Sequence, residues 1–261
     1  MGTRCMTAWA GLLYTWRMGA NVGVHGERHP APAVAWAGAF VLCVVADWVL
    51  GRWVFVPVFV AAFYGGMIVI DLLTYPMLSF WRGWLRRHGL MAWYLVEVVG
   101  MWGGTTLLIV GLAPWWLSES PGWAPLRVLG GLMALVSVGV GTWACYKMGW
   151  ARLLFAGALF LPGSGAEENG VPQRLVVEGP YRYVRNPLYI TDLALILGSA
   201  LLANVPFLFL LAALYAAQLA LQIPLEEREL LGRFGSRYSR YCRLVPRFVP
   251  RLRPVKQQDL D

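Results

Sequence analysis

The chain has 261 residues, of which 58% are hydrophobic and only 14% charged, with a mean hydropathy of +0.55 and a net charge of +8. Soluble domains carry closer to about a quarter charged residues, so this composition excludes a soluble domain and indicates an integral membrane protein. The cations flank oily runs and form no separate domain, which sets nucleic-acid binding aside; they read as a positive-inside signal with attraction to anionic headgroups.

The first segment, "MGTRCMTAWAGLLYTWRMG", has a short apolar stretch, but Trp16 and Arg17 spoil a signal-cleavage region. Met6 stands where a myristoylation motif wants Ser or Thr, so the segment reads as interfacial. "HGERH" follows, with His25 and His29 four apart, but it lacks the acid and spacing of a zinc helix. Cys5, Cys43, Cys145 and Cys242 are scattered, without the spacing of a disulfide framework or a metal site. No metal is expected.

Uncharged runs extend over Pro30 to Ala46, Trp53 to Ile70, Val98 to Ser118, Val128 to Tyr146 and Leu193 to Leu225. A helix needs roughly 20 apolar residues to cross a bilayer. The last run is too long for one crossing, and "LLANVPFL" at its middle offers Asn204 as an N-cap and Pro206 as a first helical residue. The expected fold is therefore an all-α membrane protein with six spans, the last two forming a hairpin. Tryptophans at the run ends (Trp53, Trp115, Trp116, Trp123, Trp150) mark the headgroup level.

Two regions differ in character: residues 1–124 supply three spans of slight polar content, and residues 125–261 hold most of the features capable of chemistry. "WRGWLRRHG", "KMGWAR", "PYRYVR" and the tail are all basic, whereas "PWWLSESPGWAP" has no cation. This asymmetry places both termini in the cytoplasm. After Met148 comes an apolar stretch too short to span, including Leu153 to Leu161, and then a Gly, Pro and acid-rich loop from Pro162 to Gln173. In the tail, Phe234, Tyr238 and Tyr241 share a helical face, which reads as an amphipathic helix on the cytoplasmic surface, ended by Pro246, Pro250 and Pro254.

A helix leaving the membrane edge at Pro187 and returning through a hairpin brings Glu226 and Glu227 back to the level of Arg185, Asn186, Tyr189 and Asp192. Carboxylates at the end of a span need compensation, and Arg182, Arg185 or Arg228 could provide it. Each piece alone has an ordinary explanation. "RNP" is a good helix start, "EERE" is often a solvated face, and Asp47, Glu97 and Asp192 are residues a transporter would use.

Taken together, "LVVEGPYRYVRNPLY", a hydrophobic hairpin and "EERELLGRFGSRYSRYCRLVPRFVP" resemble the membrane methyltransferases that include isoprenylcysteine carboxyl methyltransferase and phosphatidylethanolamine N-methyltransferase. The likeness spans roughly residues 174 to 250 and implies S-adenosylmethionine as cofactor, held at the cytoplasmic end of the hairpin. It assigns cofactor binding to Gly179, Tyr181, Arg185, Asn186, Pro187, Tyr189, Glu226 and Glu227, with Arg185 and Glu227 closest to catalysis. Asn186 departs from the family, which usually has histidine there; asparagine can donate and accept hydrogen bonds but cannot carry a proton near neutral pH. "VGVGT" places Gly139 and Gly141 where the phospholipid enzymes have a Gly-x-Gly element implicated in cofactor binding, a role the resemblance extends to both; on the residues alone they read as helix packing.

The chemistry suits such a cluster. Carboxylates can hold the cofactor's ammonium while an arginine grips its carboxylate through two prongs. Alignment and exclusion of water then do most of the remaining work. The expected acceptor is a lipid or lipid-linked group, because the site lies at bilayer depth and Leu153 to Leu161 could line a lateral entry. An NADPH-dependent sterol-type reductase is the alternative enzyme, and a non-catalytic scaffold or transporter the alternative of another class.

Overall fold

The computed structural model describes residues 31–118, 122–148 and 175–259, and every regular element among them is helical. The N-terminal segment with Cys5, His25 and His29, and the stretch from Leu153 through Gln173, lie outside the described residues. α1 spans Ala31–Leu50 and α2 Phe55–Thr74. A 3₁₀ turn, Tyr75–Met77, leads into α3, Leu78–Tyr94, which is kinked at Gly89 with φ +82°. A π-helical stretch, Leu95–Gly103, continues into α4, Gly104–Gly111, and the short α5, Ala113–Trp116. α6 covers Ala124–Met148, α7 Pro187–Ala203, α8 Pro206–Phe234 and α9 Ser236–Leu244.

Among the described residues, four helical stretches are long and apolar enough to cross a membrane: Phe55–Gly89, Ala92–Gly111, Ala124–Met148 and Pro206–Phe234. Val34–Leu50 and Pro187–Ala203 are apolar but shorter. Large apolar side chains such as Leu42, Leu107, Leu135 and Leu221 point outward, as they do in a chain solvated by lipid rather than water.

The helices overrun the uncharged runs, because acids that interrupt the sequence pattern are turned inward. α1 passes through Asp47, α2 through Asp71, and the stretch Ala92–Gly111 begins ahead of Val98 and carries Glu97. All three acids are buried. "WRGWLRRHG" is likewise helical, continuing the line of α2 as far as Gly89.

The hairpin has the expected break but a different cap. Asn204 is the C-cap of α7, in the left-handed conformation (φ 54°, ψ 46°), and Val205 occupies the N-cap position before Pro206. Asparagine is the non-glycine residue that best tolerates this conformation, so it closes the first helix instead of opening the second.

α6 and α7 approach almost backbone to backbone. A Cβ on Gly130 would lie 2.5 Å from the Gly198 carbonyl oxygen, and one on Gly198 would lie 2.8 Å from the Gly130 oxygen. Such small-residue seams are how helices pack where lipid removes any hydrophobic drive to associate. The main core gathers Val56, Val60, Tyr64, Leu195, Ile196, Leu208, Tyr215 and Ile223 from α2, α7 and α8. A second cluster joins Leu175 and Val177 to Tyr238, Tyr241, Val245 and Val255. The aromatic face of α9 is thus taken up by the chain itself, where the sequence suggested the membrane surface.

Candidate functional site

The stretch ahead of α7 is built as a rigid collar. Gly179 adopts φ +60°, and a Cβ there would lie 2.8 Å from Lys147 Cγ and 3.2 Å from Trp143 Nε1, so only glycine lets the chain turn against α6. A 3₁₀ turn over Gly179–Arg182 follows, with Tyr181 buried, and Pro187 starts α7.

The proline-rich tail runs beside this collar and is sewn to it. Arg185 N donates to the Pro246 carbonyl at 2.9 Å, Arg251 N to Tyr183 O at 3.0 Å, and Val255 N to Arg182 O at 3.1 Å. The Tyr241 hydroxyl donates to Tyr181 O at 2.8 Å and Arg182 Nε to Val255 O at 2.6 Å. Burial pushes the Tyr241 phenol above its ordinary range, while the Arg185 guanidinium draws it partway back.

Asn186 holds the N-cap position, but its side chain makes no capping bond; Nδ2 instead donates to the Arg247 carbonyl at 3.3 Å. Its backbone conformation (φ −118°, ψ 59°) turns the chain toward the tail, so the side chain steadies the segment that carries Arg247.

The two glutamates on α8 have different surroundings. Glu227 faces two arginines: Arg185 Nη2 lies 3.5 Å from Oε1, and Arg247 donates to both carboxylate oxygens. That bond holds the Arg247 guanidinium above its ordinary range. Among the described residues, Glu226 is held by neutral donors, with no arginine among them. Its Oε1 accepts from the Tyr75 hydroxyl at 2.7 Å and from Gln222 Nε2 at 2.9 Å, and Tyr189 shares its hydroxyl between Oε1 (2.6 Å) and Oε2 (2.7 Å). Among the described residues, the expected compensation by cations therefore applies to Glu227 and not to Glu226. Arg182, the other collar candidate, ties the tail instead.

Asp192, expected in the same cluster, accepts from Tyr64 and Tyr215 at 2.9 Å each, with those rings 5.4 Å apart. The buried Nε of Arg185 has no hydrogen-bond partner among the described residues. A buried guanidinium N–H left open beside an ion pair is a donor available to an incoming anion.

Gly139 and Gly141 of α6 point apart, as residues two positions apart on a helix must. Gly141 packs on α7, where a Cβ would lie 3.2 Å from Thr191 Oγ1; one on Gly139 would meet nothing within 4 Å. Sequence reasoning missed Arg247, hidden in a run of basic residues, and missed Tyr75 and Gln222 altogether. Gln222 could have been found, because it precedes Glu226 by one turn and so shares its face.

Comparison with known proteins agrees with this architecture. The phospholipid methyltransferase profile matches residues 126–237, which covers α6 through the start of α9 and includes Arg185, Glu226 and Glu227. The nickel-cobalt-cadmium resistance protein NccN of Alcaligenes xylosoxydans xylosoxydans is 30% identical over 174 residues, or 64% of this chain and 67% of that protein. The cobalt-zinc-cadmium resistance protein CzcN of Cupriavidus metallidurans is 29% identical over 172 residues, 64% and 66% of the two chains. The alignments thus span about two thirds of each relative. No solved structure gives a significant match. The chain belongs to the phospholipid methyltransferase family of membrane enzymes.

Proposed function

We propose that the chain transfers a methyl group from S-adenosylmethionine to a lipophilic acceptor, a lipid headgroup or a lipid-linked carboxylate, at the cytoplasmic edge of the membrane. The observation that carries this reading is the pairing of Arg185 with Glu227 beside a second carboxylate, with the buried Nε of Arg185 left open. S-adenosylmethionine supplies a methyl group on a sulfonium; the residues of this chain supply binding and alignment. Arg185 grips the cofactor carboxylate, with Arg247 sharing the charge of Glu227 meanwhile. Glu226 and Glu227 receive the ammonium.

Gly179, Tyr181 and Pro187 give the collar its shape, and Tyr189 orients Glu226. Asn186 secures the segment bearing Arg247 and takes no proton, which suits a transfer needing no strong acid or base at that position. Gly141 admits close approach of α7, and Gly139 leaves open space on the other face of α6. Six crossings, counting Val34–Leu50 and Pro187–Ala203, would bring this cluster and both termini to one side, which the basic flanks of the runs assign to the cytoplasm, with residues 125–261 as the enzymatic core. The names of the two relatives suggest the setting in which such a product matters: exposure to nickel, cobalt, zinc or cadmium.

The deciding experiment is calorimetric titration of the detergent-purified chain with S-adenosylmethionine, with NADPH as the competing ligand. Binding of the former, abolished by Arg185→Ala or Glu227→Ala, is the expected outcome. Unchanged affinity in both variants, or binding of NADPH alone, would overturn the assignment. Transfer of a labelled methyl group into total lipid extract then identifies the acceptor.

A further inference from the structure

α2 and α8 run parallel in one fixed register. Asp71 pairs with Gln218, and Tyr75 with Gln222, each across 147 residues of sequence, and Arg82 meets Glu229 at 3.9 Å on the same offset. Within α8, Gln218 Nε2 continues to Gln222 Oε1 at 3.1 Å, so Gln218, Gln222 and Glu226 form one connected ladder on a single face. Polar groups at a helix interface fix register, because any slip leaves them against apolar side chains. A slip of one turn toward the start of α8 would bring Asp71 to the level of Leu214 and Tyr75 to that of Gln218, away from Glu226. The seam therefore delivers the Tyr75 hydroxyl to one particular carboxylate.

The donors around that carboxylate are unevenly divided. Among the described residues, Oε1 of Glu226 receives Tyr75, Gln222 and part of Tyr189, whereas Oε2 receives the rest of the Tyr189 hydroxyl. A carboxylate oxygen offers about two lone-pair sites, so Oε1 is filled and Oε2 keeps capacity for a ligand. We infer that Tyr75 is a positioning residue that saturates Glu226 Oε1 and so presents Oε2 to the ammonium end of the cofactor. Resting on the reading that Glu226 meets that group, this makes the N-terminal helices part of the site. Tyr75 lies outside the family match, which begins at position 126. It is placed by the 3₁₀ turn that ends α2, where Pro76 lacks the N–H to continue a helix.

The test compares two ligands on the full-length chain in detergent: S-adenosylmethionine, and 5′-methylthioadenosine, which keeps the nucleoside and sulfur but lacks the amino-acid end. Tyr75→Phe keeps the ring and removes the hydroxyl. It should weaken S-adenosylmethionine by about tenfold, the effect of one hydrogen bond to a charged group, and leave methylthioadenosine within about twofold. Glu226→Gln should show the same selectivity more strongly. Equal weakening of both ligands in Tyr75→Phe would mark the hydroxyl as a general packing element and overturn the inference, as would unchanged affinity for both. Failure of the unaltered chain to bind S-adenosylmethionine would bring down the proposed function as well, which separates the two claims.

Discussion

Asp47 shows how an intramembrane acid can be wholly structural. Its Oδ1 accepts from the backbone N–H groups of Val54 and Phe55, both at 2.9 Å, and Oδ2 from that of Val56 at 2.8 Å. These are the first amides of α2, which have no partner within their own helix. A carboxylate also complements the positive end of the helix dipole there. The residue is buried, so truncation strands three donors away from water. Asp47→Ala should lower stability by about 2–4 kcal/mol, and Asp47→Asn, which keeps one acceptor, by less. Intrinsic tryptophan fluorescence during heating in detergent would read this as a drop in apparent melting temperature of roughly 5–10 °C. A transporter reading of Asp47 predicts a different result, a loss of activity without loss of stability.

At the scale of elements, the α6–α7 seam carries the most specific demand. Gly130 and Gly198 face each other across a gap with no room for a methyl group on either side. Gly198→Leu would force the two helices apart and shift the collar, which α6 supports through Gly179 and an ion pair of Lys147 with Glu178 at 3.9 Å. The expected result is a destabilised chain, by about 1–3 kcal/mol or more, with weakened cofactor binding. By contrast, Gly139→Ala meets open space and should leave thermal stability nearly unchanged.

How much of this was legible follows from what each signal measures. Length and hydropathy marked the oily runs, and Pro187, Asn204 and Pro206 marked the hairpin, since each has a local backbone reason to be there. Uncharged runs ended too early at Asp47, Asp71 and Glu97, because hydropathy cannot tell an acid facing lipid from one turned into the bundle. Arg185 and Glu227 were legible through the hairpin's geometry. Tyr75 was not, because its partner lies 151 residues away and only tertiary register brings the two together.

For the whole molecule, the unequal arms of the hairpin decide where the site sits. α7 has 17 residues, which at about 1.5 Å each make roughly 26 Å, somewhat less than the roughly 30 Å of hydrocarbon. α8 has 29 residues and continues well past the collar, carrying Glu229 and Arg233 beyond the level of Pro187. If α7 is a crossing, the Arg185–Glu227 pair lies where the short arm begins, at the hydrocarbon boundary, with the tail that is hydrogen-bonded to the collar on its aqueous side. If both termini are cytoplasmic, that boundary belongs to the inner leaflet, and the loop around Trp123 faces the opposite side. Two single-cysteine variants in a background without Cys5, Cys43, Cys145 and Cys242 test this: Trp123→Cys and Val249→Cys, both at exposed positions. A membrane-impermeant maleimide added to intact cells should label the first and reach the second only after permeabilisation. The reverse pattern would place the carboxylates in the outer leaflet, away from a cytoplasmic cofactor supply, and labelling of both in intact cells would mean that an even number of crossings separates Trp123 from Val249. Either result is incompatible with a cytoplasmic methyl donor reaching Arg185, so the sidedness of two cysteines bears directly on the chemistry assigned to the site.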